Sequence, residues 1–225
     1  MTTDELIVEL ARAAGPVRPL ARPSARLARW TAATLPVTAL GAIVIGLRAD
    51  VLIAMPQPTF LAVAVATLST ALLSAASALV LSVPGAERSA PQRALPLLAA
   101  GLWALALIAL LMTGGEPIRR VLQWPFHWLC FIEIVALGTV PGFALFAMIR
   151  RAAPLRHAWS GALAMLAAVA IGAAATQFIC PLDDPAHHLV GHLLPVAVLS
   201  VLGAFAGHRY LNWLRRDTIH FTDSM

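Results

Sequence analysis

Cys130 and Cys180 are the two thiols of this 225-residue chain, and each keeps polar company. His127 precedes Cys130 by three positions and Glu133 follows it by three. Cys180 opens the run Pro181-Leu182-Asp183-Asp184-Pro185-Ala186-His187-His188, with His192 four positions further on. Four of the seven histidines thus gather around the two cysteines. Thiolate and imidazole together suit zinc, copper(I) or cadmium. The same thiols could instead form a Cys130–Cys180 disulfide. Which chemistry is feasible depends on the elements that bring the two segments together.

Those elements are apolar. Hydrophobic residues make up 60% of the chain, charged residues only 12%, and the mean hydropathy is +0.81. A soluble domain is about 45–50% apolar and about 25% charged. So little charge cannot cover a 23.8 kDa globule, which excludes both a soluble enzyme and a disordered chain. Six stretches have the length of about 20 residues that a bilayer requires: 30–47, 60–83, 95–112, 126–149, 159–179 and 189–210. Pro-, Gly- and Asp-rich punctuation separates them. Pro36, Pro141 and Pro195 fall inside spans, where neighbouring helices can satisfy freed carbonyls. The fold class is all-α: a polytopic inner-membrane protein, a six-transmembrane-helix bundle with a short cytoplasmic N-terminal helix. It divides into a tail over 1–28, a membrane domain over 29–212 and a C-terminal tail over 213–225.

All sixteen basic residues are arginine, and the formal charge is +5. With the N-terminus inside, thirteen arginines fall on the cytoplasmic side, and Arg48, Arg119 and Arg120 fall outside. Such asymmetry orients a multi-pass protein. The basic balance is therefore a sidedness code, and direct nucleic-acid binding loses its support. Residues 1–28 carry acids, arginines and prolines before any apolar run, so the first span reads as an anchor rather than a signal peptide. Trp30, Trp124, Trp128, Trp159 and Trp213 stand at span ends, as an interfacial belt would. Trp103, in mid-span, reads as packing or lipid contact.

This topology puts both cysteines at one level on the outer, oxidising side of a bacterial inner membrane, where disulfides persist. Taken singly, a membrane-embedded cysteine acts as a small apolar residue, and histidines at a boundary are often only solvated. Two cysteines on one level with His127, His187, His188 and His192 outweigh that reading. Glu133 adds weight, since an intramembrane carboxylate is expensive and normally paired; its plainer role is a hydrogen bond to another helix. Asp183 and Asp184 read as loop caps or water ligands. Cys130, near a helix N-terminus, is the better thiolate by the dipole argument.

Small residues supply close packing. Gly203 and Gly207 form a GxxxG pair, and Gly161, Ala164, Ala168 and Gly172 nearly line one face of the fifth span. They offer a seam between the fifth and sixth helices, or one for a homodimer. Residues 2–13 read as a short helix capped by Thr2 or Thr3, with Leu6, Ile7 and Leu10 in one apolar stripe. Twelve residues do not hold a helix alone in water, so the stripe wants a groove on a partner protein, the alternative being the lipid surface. The stretch Pro16–Pro23 is a stiff connector.

Three local patterns resemble the NrsF-type family of bacterial membrane anti-sigma factors. They are Thr3-Asp4-Glu5-Leu6-Ile7 with Pro16-Val17-Arg18-Pro19-Leu20, Cys130 early in the fourth span, and Trp159-Ser160-Gly161-Ala162-Leu163-Ala164 continuing to Cys180-Pro181-Leu182-Asp183 and Pro185. The resemblance implies a non-enzymatic protein that sequesters an extracytoplasmic-function sigma factor, through Leu6, Ile7, Leu10, Val17 and Leu20. It also implies that the paired cysteines sense metal or oxidative stress. His187, His188 and His192 depart from the family's pattern and tilt the signal toward a metal. A membrane thiol oxidoreductase is the main rival, weakened by the lack of Cys-x-x-Cys and of a second thiol pair. A metal transporter with Glu133 and His127 at its entrance is the third reading, but the other spans offer almost no polar path.

Overall fold

A segment surrounded by apolar side chains must satisfy its own backbone polar groups, which a helix does and an open strand does not. The computed structural model describes residues 1–13, 19–114, 119–123 and 125–211, and among these all regular structure is helical. We label the long helices α1 (Thr3–Ala13), α2 (Pro23–Ile45), α3 (Pro58–Leu81), α4 (Ala90–Thr113), α5 (Trp128–Arg150), α6 (His157–Thr176) and α7 (Pro185–Tyr210). The last six are each long and apolar enough to cross a membrane. Their bounds agree with the hydropathy reading to within five residues, except that α2 begins seven residues earlier, at Pro23. Proline in the first turn lacks only a donor that would be orphaned there anyway, which explains starts at Pro23, Pro58 and Pro185.

The centre of the bundle is α6. Fifteen of its twenty residues are buried, and it touches α3, α5 and α7 along its length. Its Ala- and Gly-rich sequence has little side chain on any face, so neighbours approach from several directions. A Cβ on Gly161 would collide with the Gly203 carbonyl and with Gly207 of α7, and one on Gly172 with the Ile134 carbonyl of α5. The GxxxG pair is thus used within the chain, packing α6 on α7, and the Gly161–Gly172 stripe is shared between α7 and α5. The outward faces are apolar, with Leu40, Val44, Leu102 and Phe205 exposed. A belt of that kind suits a bilayer and not water.

Two residues counted above by side or belt have a different place. Trp30 is fully buried, and its Nε1 donates to the Pro141 carbonyl at 2.9 Å. It is core rather than interfacial, because the early start of α2 at Pro23 puts it about two turns into the helix. Trp103 is likewise buried, in packing rather than lipid contact. Trp128 remains exposed and Trp159 half-buried, while Trp124 and Trp213 lie outside the described residues. Arg26 is buried too, and donates to the Leu79 carbonyl and Ser82 Oγ, both at 3.4 Å, and to the Met148 carbonyl at 2.5 Å. It ties the start of α2 to the C-terminal ends of α3 and α5, where a cation is favoured.

Candidate metal centre

At the end of the bundle where α5 begins and α6 stops, the chain is forced into contact with itself. α6 ends at Thr176, whose carbonyl accepts from Cys180 N at 2.8 Å. The segment then runs without regular structure through Pro181 until Asp184 caps α7, accepting from Ala186 N at 2.8 Å. Gln177 Nε2 donates to the Phe60 carbonyl at 2.9 Å, and Phe178 meets Phe60 edge to face at 5.2 Å between centroids. The turn is thereby pinned to the start of α3.

The two thiols come together. Cys130 Sγ donates to Cys180 Sγ at 3.6 Å, and His187 Nε2 lies 3.5 Å from Cys130 Sγ and 3.3 Å from Cys180 Sγ. His192 completes a group of four whose donor atoms all lie within 4.8 Å of one another, every member buried. A covalent sulfur–sulfur bond is about 2.05 Å long, so both cysteines are free thiols here. This donor set could hold a metal ion.

His188 and His192, four apart, do face each other, but the convergent donors are His187 and His192. In an α-helix, His187 and His192, five apart, would point about 140° away from each other. Residues His188–Leu193 instead form a π-helical turn, which widens the repeat by one residue and brings the two rings to 5.2 Å between centroids. π-turns inside helices recur at functional sites. Gly191 makes room: a Cβ there would stand 2.8 Å from His187 Cε1.

His188 does face His192, at 4.6 Å between centroids, but is not one of the four clustered donors. It borders a cavity of about 310 Å³ shared with Phe60, Gln177 and Asp183. His127 sits just before α5, its ring edge-on to His187 at 4.8 Å. Glu133 also stays outside the group of four; its Oε2 is buried with no hydrogen-bond partner among the described residues. The six candidate ligands therefore separate into four convergent donors and two outer histidines, His127 and His188. Asp184 caps as expected. Asp183 does not, because Arg48 claims it.

By sidedness alone Arg48 is one more outside charge. It is 5% exposed, and both carboxylate oxygens of Asp50 (2.7 and 2.9 Å) and of Asp183 (2.7 and 2.6 Å) accept from its guanidinium. It also donates to the Cys180 carbonyl at 3.2 Å, and its backbone N to the Phe178 carbonyl at 3.0 Å. One side chain thus fixes the segment that carries Cys180. The neighbouring Asp50 at i+2 was the available signal, but Asp183 is 135 positions away. Asp50 and Asp183 are each half exposed, so solvent screens the ion pairs and position matters more than energy.

Two shifts follow from these contacts. The hydrogen bonds from Arg48 hold the Asp50 carboxyl below its ordinary value, and donating to Asp183 and Asp50 raises the guanidinium. The Asp50 contribution is complete at neutral pH and is lost as pH falls through that depressed value. Arg48→Met should therefore lower the unfolding midpoint at pH 7, and the gap to wild type should narrow only below about pH 4, the ordinary aspartate value. Thermal melts across that range check this; a pH-independent gap would mean Arg48 acts by packing alone. Cys180 is also pulled down, first by the hydrogen bond from Cys130 and then by His187 and His192, against the resistance of burial. The two sulfurs share one hydrogen-bonded cluster with His187 Nε2 and act as a pair, rather than as a thiolate at Cys130 alone.

The chain has recognisable relatives. The family model described as "Negative regulator of sigma F" (NrsF) matches residues 10–213. A curated protein called "Probable anti-sigma-F factor NrsF", from Azospira oryzae (strain ATCC BAA-33 / DSM 13638 / PS), is 33% identical over 221 residues, covering 95% of this chain and all of the relative. No solved structure matches. With nearly the whole length matched by both comparisons, this chain belongs to the NrsF family of negative regulators of sigma F.

Proposed function

We propose that this chain is an anti-sigma factor of the bacterial inner membrane with both termini in the cytoplasm. Its N-terminal tail holds an extracytoplasmic-function sigma factor, which is released when the Cys/His centre at the opposite face binds metal or is oxidised. The observation that carries this reading is α1. Thr2 and Glu5 form a reciprocal capping box, with Thr2 N donating to Glu5 Oε2 at 2.7 Å and Glu5 N donating to Thr2 Oγ1 at 3.3 Å. No residue of α1 is buried, and Leu6, Ile7 and Leu10 are 39%, 57% and 61% exposed. A preformed apolar stripe on which none of the described residues packs is what helix-in-groove recognition requires. Leu20, also exposed, and Val17, which lies outside the described residues, belong to the same tail.

Family membership supplies the class of partner, and the thirteen-to-three arginine asymmetry supplies the side. The role is regulatory rather than enzymatic. A signal can shift an equilibrium only through different affinities for two packing states. The centre joins α5, the segment after α6 and the start of α7, so a change there acts on how those helices pack.

The test is capture of the sigma factor from solubilised membranes by three forms of the protein. The full-length chain should retain it and a chain lacking residues 2–20 should not. A Cys130→Ser/Cys180→Ser chain should retain it even after cadmium or peroxide treatment that releases it from wild type. Equal capture by the truncated form sinks the tail reading, and normal release from the double-serine form sinks the sensing reading.

A further inference from the structure

We infer that Cys130, Cys180, His187 and His192 are the complete ligand set of one tetrahedral d10 ion, of the zinc class, with His127 and His188 outside it as orienting partners. The inference deepens the functional reading above, resting on its assignment of this centre as the receiver of the signal. Zinc takes sulfur at about 2.3 Å and imidazole nitrogen at about 2.0–2.1 Å, almost always in a tetrahedron. Such a tetrahedron has a sulfur–sulfur edge of about 3.8 Å and sulfur–nitrogen edges of about 3.5 Å. The observed separations are 3.6 Å between the sulfurs and 3.5 and 3.3 Å from them to His187 Nε2. Three of four vertices therefore stand at tetrahedral spacing. The widest separation in the set is within 4.8 Å, so closing the fourth vertex takes a movement of about 1 Å.

His192, which interacts with Cys180, supplies the fourth vertex. It is 1% exposed, and its Nε2 has no hydrogen-bond partner among the described residues. A buried polar atom in that state calls for an occupant. Charge agrees with the donor set. Zn²⁺ binds both cysteines as thiolates and both imidazoles neutral, releasing whatever protons the free sulfurs carry. Two thiolates cancel the dication, leaving a centre of zero net charge, which a water-poor site tolerates best. Hard ions such as Mg²⁺ or Ca²⁺ want several oxygen ligands that these residues do not supply.

The outer contacts fit their role. His127 meets His187 edge-on, and His188 meets His192 at close range and His187 further off, so both outer rings abut ligand rings. Such partners orient a ligand and typically change affinity by about 10–100-fold. His188 also borders the 310 Å³ cavity, a route by which an ion could reach the donors. Bound there, the ion would cross-link α5, the segment after α6 and α7.

The experiment uses full-length protein in detergent, reduced and stripped with a chelator, then titrated with Co²⁺ and afterwards Zn²⁺. One equivalent of Co²⁺ should give the intense visible absorption of a tetrahedral site and a thiolate-to-cobalt charge-transfer band, both abolished by one equivalent of Zn²⁺. Cys130→Ser or Cys180→Ser should weaken the charge-transfer band. His187→Ala and His192→Ala should each weaken binding by more than ~100-fold, and His127→Ala and His188→Ala by ~10-fold or so. X-ray absorption of the zinc-loaded wild type, which needs no variant to fold, should give two sulfur and two nitrogen neighbours. A weak octahedral cobalt spectrum, fewer than two sulfurs, or His188→Ala as damaging as His192→Ala overturns the inference. So does a zinc-free Cys130–Cys180 disulfide in protein thiol-trapped in its membranes. A tetrahedral spectrum alongside failed sigma-factor capture would sink the anti-sigma reading and leave this ligand set standing.

Discussion

Leu6→Glu, Ile7→Glu and Leu10→Glu together should abolish repression, raising sigma-dependent transcription to the level of a strain without the protein. Each of these side chains contributes about 1.5–3 kcal/mol when fully buried in a partner's groove. Ordering α1 on the partner offsets part of the gain, since an eleven-residue helix is marginal alone. A net loss of about 4 kcal/mol is a factor of ~1,000 in Kd. A milder change should act in proportion. Thr2→Ala removes half of the capping box at a cost of about 1 kcal/mol, so it should weaken capture by ~5-fold without abolishing it. A promoter reporter and a binding titration with the soluble tail peptide read both effects. Repression by the triple-glutamate chain at the wild-type level would show that the grip lies elsewhere.

Gly161→Leu should prevent the bundle from assembling, and Gly161→Ala should already lower the unfolding midpoint. The clash is with backbone rather than with a side chain that can rotate away: the Gly203 carbonyl and the Cα and N of Gly207 occupy the place of a Cβ. Overpacking of a tight site costs about 1–3 kcal/mol per modest intrusion, and here a single methyl must push α6 and α7 apart. Gly101 is the control. It is exposed on α4 with nothing within 4 Å of a built Cβ, so Gly101→Leu should stay within about 0.5 kcal/mol of wild type. Thermal melts in detergent and the abundance of each variant in membranes distinguish the two positions. Equal tolerance at Gly161 and Gly101 would mean that the α6–α7 seam is looser than its geometry.

Much of this molecule is legible in its linear pattern. Six helices, their approximate ends and the meeting of Cys130 with Cys180 follow from apolar run length, from proline and glycine punctuation and from counting alternate ends. Such quantities add up along the chain, and every residue in a run contributes to them, so single errors average out. The Thr2 cap is legible for a related reason, as its partner Glu5 is three residues away.

The centre's identity depends on contacts that no local rule contains. The linear pattern favours His188 and His192 as a pair, whereas one π-turn moves the convergent donors to His187 and His192. Arg48 looks like one more flanking charge until the fold lays the 178–183 segment across it. Trp30 looks interfacial until an early helix start buries it against Pro141. In each case one extra residue in a helical turn, a helix that starts seven residues early, or a contact across more than a hundred positions sets which atoms meet. Hydropathy fixes which stretches become long apolar helices. The direction in which its side chain points is set by the backbone path and by the neighbours that the closed bundle supplies.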